Sequence, residues 1–144
     1  MNLDMYLTGE QFIWSWGGSN RRDIKEKLEL AFEPSAIVFE LAYWRKANAI
    51  HAWFVKHVQA GKDHCGTYPV TIEQLHALLN TVKMVKENHN LATSLCPTQS
   101  GFFFGDTGYG ENYWADMDYT EKALGKVLIY PKLTQLEIEY HASW

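Results

Sequence analysis

The chain has 144 residues, 47% of them hydrophobic and 15% aromatic, and 17 acidic against 13 basic side chains leave a formal charge of −4. That apolar content excludes a disordered chain, the length suits one domain, and the negative balance gives no field for general nucleic-acid binding. Cys65 and Cys96 allow at most one bridge, the N-terminus has no signal-peptide pattern, and no apolar run approaches the ~20 residues of a membrane helix, so a cytoplasmic protein with reduced thiols and no membrane contact is expected.

Leu3 to Leu7 reads as a short strand, after which Gly9 and the segment Trp14 to Asn20 are expected to break regular structure. Ser19 or Asn20 caps a charged helix over Arg21 to Phe32, with Ile24, Leu28 and Ala31 at helical spacing and Glu33-Pro34 as its stop. Ala36 to Leu41 is branched and aromatic and reads as a strand, or as a lead into the next helix. The clearest helix spans Tyr43 to Ala60, where Ala47, Ile50, Phe54 and Val58 share one stripe flanked by Trp44, His51 and Val55, and Gly61 closes it. Its other side carries Arg45, Lys46, Ala49, Ala52, Lys56 and Trp53. A large ring on a polar face marks Trp53 as an interface residue, consistent with a homo-oligomer.

Cys65 to Val70 contains Pro69 and reads as an edge strand. Thr71 caps a helix with Gln74 in capping-box register and Leu75, Leu78, Leu79, Val82 and Val85 as its core stripe, fraying near Asn88 to Asn90. Leu91 to Glu111 is a long, Gly-rich irregular stretch, uncommon inside a compact domain unless functional. A third long helix starts at Asn112, turns Trp114, Met117, Leu124 and Val127 inward, and reaches about Ile129 before Pro131. Leu136 to Trp144 alternates as a strand with one apolar face. The fold expected is α+β: a small, mostly antiparallel sheet packed against three to four helices in a single domain over residues 1–144.

Two segments combine polarity with aromatic rings. On the expected helix Trp44, Asn48 and His51 share a face, with Arg45 at its rim, a set that can stack on and hydrogen-bond a base or ribose and take a phosphate. The plainer reading is that Trp44 and His51 extend the buried stripe. The Gly101-to-Gly110 loop offers amides unhindered by Cβ atoms beside Phe102, Phe103 and Phe104, yet has neither P-loop nor dinucleotide spacing. Equally, the three phenylalanines plug the core. Asp106, Glu111, Asp116 and Asp118 lack the ladder of a calcium loop, no zinc spacing occurs, and no nucleophile elbow is present, so no metal, cofactor or catalytic residue is assigned.

The runs Tyr43-Trp44-Arg45-Lys46-Ala47-Asn48-Ala49-Ile50-His51-Ala52-Trp53-Phe54-Val55 and Pro97-Thr98-Gln99-Ser100-Gly101-Phe102-Phe103-Phe104-Gly105, with Cys65 and Tyr68 between them, resemble a family of small proteins encoded by bacteriophages and prophages, over about residues 43–129. After the second run this chain carries extra glycines, at Gly108 and Gly110. The family has no firmly assigned chemistry, so the resemblance implies a habitat, the cytoplasm of a bacterial host, and an occupation, interference with host defence. The expectation is a non-enzymatic protein that sequesters a small nucleotide-like immune signal. The alternatives are an enzyme degrading such a signal, with His51 and a second His or Tyr, and a protein that blocks a host component through Trp53 and the Trp14/Trp16 loop. The ligand would lie between Trp44, Arg45, Asn48 and His51 on one wall and the loop with Thr98, Gln99, Ser100, Phe102, Phe103, Phe104, Asp106 and Tyr109 on the other. A ring would stack on Trp44 or on Phe102 to Phe104, Asn48 and Gln99 would read its edge, and Arg45 would face its phosphate.

Overall fold

In the computed structural model, which describes residues 1–13 and 20–144, four strands form one antiparallel sheet. They are β1 (Asp4–Phe12), β2 (Ala36–Arg45), β3 (Thr67–Pro69) and β4 (Glu137–Ser143), in the order β2-β1-β4-β3. Because side chains alternate along a strand, the pairs Met5↔Trp44, Met5↔Ala142, Leu7↔Ala42 and Leu7↔Tyr140 all fall on one face, and all of these residues are buried. Glu10 pairs with Glu137 and Thr8 with Glu139 on the other face, which meets water. The alternation of the C-terminal tail is therefore that of a strand with one core face.

The first strand runs further than expected. Gly9 sits in mid-strand opposite Phe39 and Ile138. A Cβ there would lie 3.0 Å from Leu136 Cδ1 and 3.1 Å from Leu41 Cδ1, so the glycine makes room for two leucines that cross the sheet above it.

The described residues form five α-helices: α1 (Asn20–Lys27), α2 (Asn48–His57), α3 (Ile72–Glu87), the single turn α4 (Ala92–Leu95) and α5 (Glu111–Leu128). The α+β class is as read from sequence, with the single turn α4 added to the four helical segments expected. α1 stops at Lys27, well before Phe32, and Leu28 and Phe32 beyond it are exposed and supply no buried face to extend it. α3 begins with the expected capping box, Thr71 Oγ1 accepting from Gln74 N–H and Gln74 Oε1 accepting from Thr71 N–H, and buries Leu75, Leu78, Leu79, Val82 and Val85.

The main correction concerns Tyr43 to Ala47. These residues are not helical: Tyr43, Trp44 and Arg45 complete β2, and α2 begins only at Asn48. Lys46 turns the corner with φ 57, a left-handed conformation that a lysine adopts only when its surroundings hold it. Its N–H donates to Leu3 O at 2.8 Å, and Leu3 N–H donates to Phe103 O at 3.1 Å. The corner, the N-terminal segment and the Phe-rich loop are thus tied together in the backbone.

Candidate functional site

The β2–α2 corner faces the irregular segment that leads into α5 across a polar cleft of about 230 Å³. Arg45 and Lys46 stand on one wall, Thr98, Asp106 and Gly108 on the second, and Asn112, Tyr113 and Asp116 from the start of α5 form the floor and far side. Lys46 and Gly105, both at positive φ, pack against each other at the rim. A Cβ on Gly105 would lie 3.1 Å from Lys46 Cβ, so a side chain there would push the corner away from the loop. Two cations and two carboxylates therefore line one narrow space. Burial raises the carboxyl of Asp116 to about 6, so near neutrality it is mostly an ionised acceptor, and it carries a proton to donate only below that value.

Asn48 is at the cleft but spends its side chain on the fold. Its Nδ2 donates to Phe104 O at 3.0 Å and to Asp106 O at 2.8 Å, and its Oδ1 accepts from Gln99 N–H at 3.0 Å. One amide thus fixes both limbs of the loop. Thr98 is used in the same way, its N–H donating to Tyr109 Oη and its Oγ1 to Thr107 O, and Asp106 Oδ1 accepts from Gly108 N–H. Asn48 and Gln99 are accordingly loop staples, where the sequence had them reading a ligand edge.

His51 lies one turn further along α2 and is completely buried. Its Nδ1 is 2.7 Å from Tyr140 Oη and its Nε2 2.8 Å from Asp63 Oδ1, while Gln99 Nε2 donates to Asp63 Oδ2 at 2.8 Å. Burial holds the Tyr140 phenol well above its usual range, so it keeps its proton and donates to Nδ1. Nε2 then carries the ring proton and donates to Asp63. Burial also pushes the imidazole below its ordinary value, with the Asp63 hydrogen bond opposing. His51 is a neutral, doubly bonded core residue that a ligand does not reach.

The rings expected to stack on a ligand are elsewhere. Trp44 is buried on the strand, its Nε1–H donating to Thr120 Oγ1 at 2.9 Å. Phe104 is buried edge-on against His51 and Trp144, Phe102 is 94% exposed, and Phe103 is half-buried. Of these three, then, one plugs the core and none lines the cleft. Ser100 is exposed, and Tyr109 tilts against Tyr113, the ring at the cleft floor. Trp53, expected at an interface, is buried on α2 between Phe54 and His57, because α4 and the Cys96 segment cover the side that its charged neighbours made look polar. Trp14 and Trp16 lie outside the described residues.

Sequence reasoning thus brought Arg45, Asn48, Thr98 and Asp106 to one cleft. It missed Lys46, Asn112, Tyr113 and Asp116 as lining, and Asp63 and Tyr140 as partners of His51. The adjacency of Lys46 to Arg45 was the available signal; Tyr140 and Asp63 gave none, being 89 and 12 residues from His51. Cys65 is exposed and Cys96 buried, both as free thiols, and burial pushes Cys96 up to about 12, out of reach of ionisation near neutrality. Among the described residues no three His, Cys, Asp or Glu side chains cluster as a cation site, and no helix is long and apolar enough to cross a membrane. No protein-family model, curated protein or solved structure matches the chain.

Proposed function

We propose that the protein binds a small anionic, nucleotide-like ligand in the Arg45/Asp116 cleft and holds it without altering it. The observation that carries this reading is that the cleft is lined both by two cations, Arg45 and Lys46, and by hydrogen-bonding groups, Asp106, Asn112 and Asp116. A phosphate suits the first, and the polar edge of a sugar or base suits the second. The volume is below the ~300–1,000 Å³ of ordinary ligand sites, which favours one nucleotide unit over a whole dinucleotide. Sequestration is preferred to turnover because His51, the histidine on which the enzymatic reading depends, is sealed in the core with both ring nitrogens engaged. The resemblance to phage-encoded proteins supplies the setting: removal of a nucleotide-like signal of host immunity, in the host cytoplasm.

Equilibrium dialysis against adenosine and guanosine monophosphates, their cyclic forms and a cyclic dinucleotide, followed by denaturation and mass spectrometry of the released compound, tests this directly. A mononucleotide recovered intact is expected. Arg45→Ala should weaken its binding about ten- to a hundredfold with the melting temperature unchanged, since Arg45 is exposed and its loss removes a charge-assisted bond. Absence of binding across the panel defeats the proposal, and a chemically altered product makes the protein an enzyme.

A further inference from the structure

We propose that the open edge of β2 is a homodimer interface, pairing antiparallel with the same strand of a second copy about Val38. The sheet has two edges, and among the described residues only that of β3 is guarded along its whole length. β3 is three residues long and ends in Pro69, which prevents further pairing. β2 is ten residues long and borders the sheet. Its second half is closed, since Tyr43 N–H donates to Tyr119 Oη at 3.0 Å. Its first half, Ala36-Ile37-Val38-Phe39, carries no charge, and Ile37, Val38 and Phe39 are 40%, 63% and 38% exposed. The register of β1 puts Ile37 and Phe39, opposite Gln11 and Gly9, on the helix-covered face, and Val38, opposite Glu10, on the water-facing one.

An apolar groove of about 480 Å³ continues this edge, lined by Phe39, Leu41, Val127, Ile129, Tyr130 and Leu136. A strand added to β2 lays its helix-side residues beside that groove. Self-pairing about Val38 supplies fitting ones: Ile37 of each copy stands opposite Phe39 of the other, and the two Val38 side chains meet at the axis. Charge selects the second copy as occupant over a foreign strand. In this register Glu40 of each copy lies opposite Ala36 of the other and diagonal to its Pro34, whose carbonyl accepts from Arg21 Nε–H at 2.9 Å. The segment thus carries an acid at one end and a held guanidinium at the other, and two-fold symmetry joins them twice. The result is one continuous eight-stranded sheet with β3 at both ends.

Light scattering of the full chain over a dilution series tests the pairing. The wild type is expected at twice the 16.6 kDa chain mass. Val38→Lys places two ammonium groups opposite each other and should raise the dimer dissociation constant about tenfold or more, with circular dichroism and cooperative melting unchanged because Val38 is exposed. Glu40→Arg should weaken the dimer, and Arg21→Glu in the same chain should restore it. A wild type that is monomeric at its highest soluble concentration overturns the proposal, as does a dimer indifferent to both Val38→Lys and Glu40→Arg. Neither outcome touches the ligand cleft, which contains none of these residues.

Discussion

Asn48 shows how much one polar side chain can do when it replaces solvent for a loop. Three backbone groups, Phe104 O, Asp106 O and Gln99 N–H, find their partner in its amide, at a site where Asn48 itself is almost fully buried. Asn48→Ala leaves these groups to whatever water can enter, and a destabilisation of about 2–3 kcal/mol is expected in a urea melt. Asn48→Asp should be worse, because it removes both donors and brings a negative charge against two carbonyl oxygens. Limited proteolysis supplies the local readout: cleavage within the Thr98–Tyr109 segment should accelerate in both variants before global unfolding does. A ligand-reading role for Asn48 would instead leave stability and proteolysis unchanged while binding falls.

The helix α2 owes its position to being covered on nearly every side. Of its ten residues, Asn48, Ala49, Ile50, His51, Trp53, Phe54 and Val55 are buried, with Phe54 stacked on Tyr140 of β4 at 3.9 Å and Cys96 Sγ near Ala49 O on the other side. Trp53→Ala therefore creates a cavity and should cost about 3–5 kcal/mol, read as a lower urea midpoint at constant slope, whatever the oligomeric state. This helix also marks where the sequence stops being legible. α3 and β4 were readable because each carries a local signal that tertiary packing does not contradict: a capping box with a 3.6-residue stripe, and a strict alternation. The Tyr43–Arg45 run satisfies two periods at once. Ala42 and Trp44 alternate with exposed Tyr43 and Arg45 as a strand requires, yet Trp44, Ala47 and Ile50 also lie at helical spacing. What decides is the left-handed turn at Lys46, held by Leu3 O and packed against Gly105, contacts from far on either side in the chain that no window of sequence contains. The same non-local dependence explains why the cleft was half legible. Arg45, Asn48, Thr98 and Asp106 stand out by residue type, whereas Asp116 reaches the cleft only through the way α5 enters the fold.

At the scale of the whole molecule, the buried His51 and the half-buried Asp116 pull the pH dependence of stability in opposite directions. His51 is held below its ordinary value of 6.5, chiefly by burial, so between its folded value and 6.5 the unfolded chain binds the extra proton. Its contribution is fully present above 6.5 and is lost as pH falls. Asp116 is raised from 3.8 to about 6 by burial alone, so between those values the folded chain binds the extra proton. Its share of stability is present at low pH and is lost as pH rises through about 6, leaving an ionised, poorly solvated carboxylate near neutrality. Asp116→Asn removes the second effect and leaves the first. Above pH 6 the variant should be more stable than the wild type by on the order of 2 kcal/mol, after allowance for the partial exposure of Asp116, and the advantage should vanish by about pH 4. Its stability should consequently fall more steeply than that of the wild type as pH drops from 6 to 4. Urea melts of both proteins at intervals across that range give the two curves. Parallel curves would mean that the Asp116 carboxyl is solvated in the folded protein. Curves that converge towards acid would place an unpaired, reluctantly ionised acid in the cleft, where an incoming donor on a bound ligand would relieve it.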